Sequence, residues 1–308
     1  MIIKKYGGKF NFMNKNYLFD NYINIARASK SENNDLKALK FYKKAYDLPI
    51  GKNDIDLLID MALLYDKLGL KEFAINKYRE VLNIDSKYAN AYYGLAIIYD
   101  EFEDYEKALK NYSKAIELNP NYDKAYFFMA NIYDELGDKE KAINYYKKCI
   151  EINNKELWAF VNIGCILEEL NRDVEALEYF LLALAIDKDE FKLLFNIAVV
   201  YKKLGSENKA EEYYFKSLER NKEYPYTYLN LAVMYKENNE FEKAINILDS
   251  GINNTEEAFL YYHRGCIYAQ LDEKEKAIKD INMSIKINSF FEEYSKKDSD
   301  LDCLWENN

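Results

Sequence analysis

The chain has 308 residues, and its 10 glycines and 3 prolines leave few linkers that could separate independent domains, so one continuous helical body is expected. The composition is 49% hydrophobic and 31% charged, which excludes a disordered chain and suits amphipathic helices with solvated outer faces. A formal net charge of −10 argues against a protein that binds nucleic acid by neutralising phosphates, because that mode of binding needs a basic face.

The N-terminal segment, MIIKKYGGKFNFMNKNYL, has no sustained apolar run and no cleavage site of small residues. No later segment approaches the length of a membrane span. We therefore expect a cytoplasmic protein without membrane insertion. Residues 1–18 are interpreted as a mobile lead-in or a short extra turn of the first helix.

A unit of about 34 residues recurs from residue 19 to residue 288, with starts spaced 33 to 36 residues apart. The eight units begin near Phe19, Ile55, Ala89, Asp123, Leu157, Phe191, Pro225 and Ala258. Positions 4, 7, 8 and 11 of each unit are mostly apolar and fall within roughly 100° of arc on a helix. Each unit is therefore predicted to open with an amphipathic helix, named helix A.

Two further positions predict how each unit continues. Position 15 carries the residues that enter the left-handed conformation after a helix end, with Glu103 as the exception: Asn33, Gly69, Glu103, Gly137, Asn171, Gly205, Asn239 and Asp272. Position 20 is alanine in all eight units: Ala38, Ala74, Ala108, Ala142, Ala176, Ala210, Ala244 and Ala277. A second helix, helix B, must approach a neighbour closely at this alanine, and each helix pair leaves an apolar side that only the next pair covers.

The pattern resembles the tetratricopeptide repeat (TPR) family of bacterial type. Its motif is matched in the third unit by Tyr92, Leu95, Ala96, Tyr99, Ala108, Tyr112, Ala115 and Pro120. The resemblance implies an all-α fold, a right-handed superhelical solenoid of about eight helix-turn-helix repeats. Residues 289–308 would then form a capping segment and tail, with Phe290, Phe291 and Tyr294 covering the last repeat. A tail that instead recruits a partner through residues 298–305 is the alternative.

In the TPR family, positions 2, 6, 9 and 13 of helix A line a concave groove. Position 6 holds asparagine in three consecutive repeats, Asn162, Asn196 and Asn230, and His263 continues this row. An amide offers donors and an acceptor, so it can hold a peptide unit without recognising its side chain. With A helices about 9–10 Å apart and a peptide rising about 3.3 Å per residue, one asparagine would meet every third peptide unit. The row is similar to that in the TPR region of O-linked N-acetylglucosamine transferase, which implies capture of a peptide backbone.

Position 2 adds side chains beside this row, namely Trp158, Lys192, Tyr226 and Phe259. Exposed aromatic rings next to polar groups are typical of binding anchors. The alternative is structural: neighbouring repeats or the C-terminal segment cover the rings, and the asparagines bond across adjacent helices.

Two charge patterns bear on binding. Chaperone-binding TPR proteins hold a terminal carboxylate in a clamp of Lys, Arg and Asn; Asn131, Asn162 and Lys192 stand at three clamp places. Phe127 and Asn196 replace two of the cations, so a working clamp is not expected, although Asn131 stays a candidate peptide contact. At helix A ends, acidic pairs in the third to fifth repeats give way to Lys202 and Lys203, which could orient a charged ligand or simply be solvated.

No catalytic or cofactor-binding pattern stands out. His263 is the single histidine, and no phosphate-binding glycine loop or nucleophile motif is present. The four cysteines, Cys149, Cys165, Cys266 and Cys303, form no CxxC pair and are expected as small hydrophobic residues. We therefore expect no enzyme activity, no cofactor and no metal.

Three functions fit this pattern. The first is a non-catalytic scaffold that binds an extended peptide or partner segment in its groove. The second is a peptide-responsive regulatory sensor, although the first 18 residues supply no output module. The third is a structural assembly subunit that associates through the opposite, convex face. In each case the expected partner is a protein or peptide.

Overall fold

The computed structural model describes the backbone of residues 3–305 and the side chains of residues 16–302 and 304. Within these residues the secondary structure is helical, and no strand is found. The chain divides into two compact units between Asn154 and Lys155, which lies between the fourth and fifth repeats. Unit 1 denotes the part before this boundary and unit 2 the part after it.

Unit 1 consists of helices that pack in consecutive pairs, and each pair also contacts the next. The helices are α1 (Ile3–Ser31), α2 (Asp35–Tyr46), α3 (Ile55–Lys67), α4 (Lys71–Ile84), α5 (Ala89–Glu101), α6 (Tyr105–Leu118), α7 (Asp123–Glu135) and α8 (Lys139–Ile152). A 3-10 turn at Gly51–Asn53 joins α2 to α3. Because α1 begins at Ile3, helical backbone extends through most of the segment before Phe19.

Unit 2 has the same alternation of A and B helices and ends in a short C-terminal segment. The helices are α9 (Leu157–Glu169), α10 (Asp173–Ile186), α11 (Phe191–Lys203), α12 (Glu207–Arg220), α13 (Pro225–Glu237), α14 (Phe241–Thr255), α15 (Ala258–Gln270), α16 (Lys274–Ile287), α17 (Phe290–Ser295) and α18 (Asp302–Trp305). A 3-10 turn at Ser299–Leu301 lies between the last two helices. Odd-numbered helices from α3 to α15 are thus A helices, and even-numbered helices up to α16 are B helices.

The turn between helices A and B is left-handed at position 15, as predicted. Gly69 has φ 73°, and the N–H of the next residue, Leu70, donates to Tyr65 O at 2.8 Å, which closes the helix end. Glu103 takes the same conformation with φ 58°, although glutamate has no local preference for it. Position in the repeat therefore overrides residue type at this turn.

The alanines at position 20 lie in the core of each repeat, since all eight are fully buried. Position 24 on helix B supplies the largest core side chains, which are aromatic in six repeats: Tyr42, Tyr78, Tyr112, Tyr146, Phe180 and Tyr214. In the fifth repeat the Phe180 ring lies against Gly164 of helix A, where an added Cβ would come within 2.4 Å of the ring. Small residues on one helix thus make room for the rings of the other.

The C-terminal segment packs on α15. The Phe291 ring stacks on Tyr262 with centroids 4.9 Å apart, and Tyr294 meets the same ring edge-on at 5.4 Å. Phe290, by contrast, is 63% exposed and contacts Phe291 and Tyr294. Leu301, which the sequence did not single out, is fully buried against the last helix pair. The side chains of Cys303 and Trp305 lie outside the described residues.

Candidate functional site

The three asparagines of the row lie on successive A helices of unit 2, namely α9, α11 and α13, and all three are half-buried. Asn196 Nδ2 donates to Cys165 Sγ on α9 at 3.4 Å. The amide therefore lies at the junction of two A helices and bonds across it. This is the structural alternative that the sequence left open, found at one member of the row.

Asn230 is held differently. Its Nδ2 donates to Tyr226 O, one turn earlier in the same helix, at 2.9 Å. This bond gives the amide a backbone partner inside a helix, where asparagine is otherwise a mediocre helix former. Within the described residues, neither Asn196 Oδ1 nor Asn230 Oδ1 accepts a hydrogen bond. Both amides therefore have a fixed nitrogen and an available carbonyl oxygen.

His263, which continues the row on α15, is half-buried and meets the Tyr262 ring edge-on at 5.9 Å. Burial lowers the pKa of its imidazole, Lys236 lowers it further, and Asp298 and Asp300 oppose both. The imidazole is therefore neutral at pH 7. As a neutral ring it offers one donor and one acceptor rather than a positive charge.

The C-terminal segment reaches this end of the row through Asp298 and Asp300, for which the sequence predicted no partners. Asp300 Oδ2 accepts a hydrogen bond from Lys236 Nζ at 2.8 Å and another from Gln270 Nε2 at 3.2 Å. Asp298 accepts one from the hydroxyl of Tyr262. Two acidic side chains of the tail are thus placed against α13 and α15. Periodicity carries no signal for this contact because the tail lies outside the repeats.

Two of the position-2 side chains form a joint aromatic surface. The rings of Tyr226 and Phe259 stack with centroids 5.5 Å apart at an interplanar angle of 17°. Tyr226 is nevertheless 50% exposed. Trp158 on α9 is 41% exposed, and Lys192 on α11 is exposed with Nζ 5.9 Å from the Phe191 ring. The structure brings Tyr226 and Phe259 together, whereas Trp158 and Lys192 stand on their own helices.

Asn131 lies in unit 1, on α7, and is half-buried. Its Oδ1 accepts a hydrogen bond from the hydroxyl of Tyr146, the core aromatic residue of the same repeat. The amide oxygen of Asn131 therefore satisfies a buried phenol instead of standing open to a ligand.

The basic pair at the end of α11 is neutralised within the protein. Lys202 Nζ lies 2.8 Å from Glu237 on the next A helix, and Lys203 pairs with Glu168 on the preceding one. These partly exposed pairs join successive repeats at helix A ends, and each is worth only about 0–1 kcal/mol. The predicted acidic-to-basic change along the groove is therefore used in bonds between neighbouring repeats.

The described residues include neither a metal-binding cluster nor a membrane-spanning helix. No group of three or more His, Cys, Asp or Glu side chains there is arranged to hold a metal ion. None of the described helices combines the length and the apolar character that crossing a membrane requires.

Helix pairs that repeat every 33 to 36 residues, turn at one left-handed residue and pack through a buried alanine define an α-helical repeat scaffold. Models of the tetratricopeptide repeat family match residues 159–192, 191–224 and 260–290, so the repeats of this chain are of the tetratricopeptide type. Proteins of this family are generally non-catalytic scaffolds that bind protein or peptide partners. Two other models match other parts of the chain. They are described as regulator of microtubule dynamics protein 1-3, at residues 95–157, and anaphase-promoting complex subunit 5, at residues 54–120.

Solved structures share the fold. The chain is 27% identical to a MamA protein. The match covers 57% of this chain and 94% of the MamA chain, with a TM-score of 0.50. It is 24% identical to YrrB, described as a TPR protein with an unusual peptide-binding site. That match covers 64% of this chain and 97% of YrrB, with a TM-score of 0.51. The PilF protein of Pseudomonas aeruginosa is 17% identical. Its match covers 68% of this chain and 94% of PilF, with a TM-score of 0.57. No curated protein matches the sequence closely enough to count as a relative.

Proposed function

We propose that the chain is a non-catalytic scaffold that binds an extended segment of a partner protein along the asparagine row of unit 2. The observation that carries this proposal is the state of the Asn196 and Asn230 amides. Each nitrogen is held by a bond within the protein, so the amide plane is oriented, while its oxygen accepts no hydrogen bond from a described residue. An oriented acceptor suits a peptide N–H and loses little entropy on binding.

The aromatic surface of Tyr226 and Phe259 supports the same proposal. It stands at position 2 of the seventh and eighth repeats, beside the position-6 row, and presents a large apolar area next to polar acceptors. In peptide recognition, polar groups commonly bind the peptide backbone, and an apolar ring surface binds one of its side chains. Asn162 would extend the contact by one repeat towards α9.

The tail limits the extent of this groove. Asp300 already accepts from Lys236 and Gln270, so the eighth repeat presents a carboxylate from the chain itself beside His263. The proposed peptide therefore lies over α9, α11 and α13, with His263 at its end rather than in its middle.

Photo-crosslinking tests where a partner lies. The variant Tyr226→p-benzoylphenylalanine places the reactive group in the proposed groove, and Phe215→p-benzoylphenylalanine places it on helix B of the sixth repeat. Both parent residues are exposed aromatics of unit 2, at 50% and 41%, so the pair is matched. We expect a partner peptide, identified by mass spectrometry, to be joined to the Tyr226 variant alone. Equal crosslinking at both sites, or crosslinking at Phe215 alone, would contradict groove binding.

A second candidate, a structural assembly subunit that associates through its B helices, is favoured by α10. This helix has no lysine or arginine and leaves several apolar side chains open to solvent. Val174 is 62% exposed, Leu182 53% and Leu181 40%. Exposed apolar surface of this kind marks interaction sites.

The oligomeric state separates the two candidates. Assembly through α10 predicts a concentration-dependent mass in light scattering, abolished by Leu182→Glu. The matched control is Ile278→Glu on α16, since Ile278 is a B-helix residue that is 41% exposed. A mass that stays monomeric at every concentration, or one that both variants change equally, would count against assembly through α10.

A further inference from the structure

A cavity of about 240 Å³ opens in unit 1 between α3 and α5, on the groove side of the second and third repeats. Three tyrosines line it: Tyr78 from helix B of the second repeat, Tyr93 from α5, and Tyr122 from the turn before α7. We name it the tyrosine pocket. It lies wholly within unit 1, away from the asparagine row.

The tyrosine pocket owes its shape to Gly94. Position 6 holds asparagine in several other repeats, but at Gly94 an added Cβ would lie 2.3 Å from Tyr78 Cζ. The Tyr78 ring therefore occupies the space that a side chain at position 6 would fill, and it is only 3% exposed. A residue other than glycine at this position would displace the ring that forms the floor of the pocket.

The aromatic walls are neutral phenols near an excess of negative charge. The Tyr93 and Tyr122 rings stack with centroids 4.7 Å apart. Burial raises the pKa of both, that of Tyr122 to about 12, and Asp123 contributes to each rise. Burial also raises the pKa of Tyr78, with a contribution from Asp66. The charged groups that act on these three phenols are thus carboxylates.

Asp66 gives the tyrosine pocket its charge. It lines the cavity and is half-buried, and its Oδ1 lies 2.6 Å from Lys71 Nζ. Lys71 also pairs with Glu101, so one lysine is shared between two carboxylates. The immediate surroundings therefore keep a net negative charge, which favours a second cation over any anion.

Three apolar side chains complete the lining. They are Ile59, Leu63 and Ile97, and Leu63 is 47% exposed. This surface suits the methylene stem of a lysine or arginine, whose charged end would then reach the aromatic rings and Asp66. Cations bind favourably over aromatic faces, more so when water is partly excluded.

We propose that the tyrosine pocket binds a long cationic side chain, lysine or arginine, presented by a peptide. The apolar side chains take the stem, the tyrosine rings surround the charged end, and Asp66 supplies the counter-charge. An acidic side chain is rejected by Asp66, and a short apolar one leaves the cavity unfilled. This site stands on unit 1 alone and does not depend on peptide binding at the asparagine row.

Blocked amino acids are direct probes of the pocket. Saturation-transfer NMR on the full chain would compare the N-acetyl methylamides of lysine, arginine, norleucine and glutamate, with free lysine as an additional probe. Norleucine keeps the stem and lacks the charge, so it isolates the contribution of the cation. We expect the two cationic probes to bind at least about fivefold more tightly than norleucine, and glutamate not to bind.

Two matched variants locate the binding. Asp66→Asn removes the carboxylate of the pocket, and Asp134→Asn removes the corresponding carboxylate two repeats later, which pairs with Lys139 at 2.7 Å as Asp66 pairs with Lys71. Cation binding should weaken about threefold to tenfold in Asp66→Asn and stay unchanged in Asp134→Asn. Circular dichroism of both variants shows whether the helices are intact.

Three results would overturn the proposal. The first is equal binding of norleucine and lysine probes, which would make the pocket merely apolar. The second is unchanged cation binding in a folded Asp66→Asn variant. The third is tighter binding of free lysine than of its blocked form, which would assign the pocket to a small metabolite rather than to a peptide.

Discussion

Asn196 of α11 donates its amide hydrogen to the sulfur of Cys165 on α9 at 3.4 Å, so the asparagine row is tied to the preceding repeat at this point. One repeat later, Asn230 donates instead to Tyr226 O of its own helix. The same residue at the same repeat position thus reaches two different partners. In both cases the amide oxygen remains available, and this shared feature is the basis of the proposed binding function.

Replacing either asparagine by alanine should hardly change stability. Asn196 loses a bond to a weak sulfur acceptor, Asn230 loses one to its own helix, and alanine is the better helix former by about 0.5 kcal/mol. We expect the free energy of unfolding of Asn196→Ala and Asn230→Ala to stay within about 0.5 kcal/mol of the parent, measured by urea denaturation. A loss of more than about 2 kcal/mol would show that the amides are structural.

Gly164→Ala should destabilise the fifth repeat, because the new Cβ would lie 2.4 Å from the Phe180 ring. The expected cost is about 1–3 kcal/mol in urea denaturation. Shortening the ring in the double variant Gly164→Ala, Phe180→Leu should recover part of it relative to Phe180→Leu alone. Gly205→Ala is the control: it has φ 72° and no neighbour within 4 Å, so Phe180→Leu should not alter its cost. If Phe180→Leu changed the cost of Gly164→Ala and of Gly205→Ala equally, a clash with the Phe180 ring would not be the cause.

The imidazole of His263 should titrate below its ordinary pKa of 6.5, since burial and Lys236 disfavour its charged form. The unfolded chain then binds the proton more readily than the folded one. The stability that the neutral His263 contributes is therefore complete above pH 6.5. It is lost as the pH falls towards and through the pKa of His263 in the folded chain. A single histidine gives one unambiguous imidazole signal in NMR titration.

Lys236→Met supplies the check on that titration. It removes the cation that lowers the pKa of His263 and leaves Asp298 and Asp300, which raise it. The signal should shift to a higher pKa in this variant. A parent pKa at or above 6.5, or a lower pKa in Lys236→Met, would contradict the burial of His263 described above.

Arg264 and Asp280 form a bidentate pair in the last repeat, with bonds of 2.6 and 2.8 Å, and the Asp280 side chain is only 5% exposed. Arg264→Met should cost about 3–5 kcal/mol, because it leaves a buried carboxylate without its partner. Arg264→Met with Asp280→Leu should recover most of that loss, since the buried charge is gone. Urea denaturation measures both variants. A double variant as unstable as Arg264→Met would place the cost in packing rather than in charge.

The repeat period is enough to predict the fold class, because the residues that mark it meet local requirements of the backbone and of helix packing. Left-handed turns favour glycine, asparagine and aspartate, and a close helix crossing needs alanine. Glu103 is the exception in residue type, yet its backbone is left-handed like that of the other seven repeats. The position in the repeat therefore predicts this conformation better than the residue type does. The period also indicated which residues of helix A share a face.

The partners of individual side chains could not be predicted in this way. Whether an amide at position 6 bonds to Cys165 or to its own backbone depends on the neighbour at position 9 and on rotamer choice, neither of which is periodic. The contact between Asp300 and Lys236 joins residues 64 positions apart and involves a non-repetitive tail. The tyrosine pocket likewise arises where glycine stands at position 6 of the third repeat, a departure that the sequence shows but whose effect depends on the Tyr78 ring.

Binding along the asparagine row can be measured by paired capture from a cell lysate with quantitative mass spectrometry. The intact protein is compared with a variant in which Asn162, Asn196 and Asn230 are all alanine, at matched thermal stability. We expect partners to be lost selectively from the triple variant, with each asparagine contributing about 0.5–1.5 kcal/mol to binding. Partners retained equally by both proteins would contradict binding along the row and direct attention to α10 and the B helices.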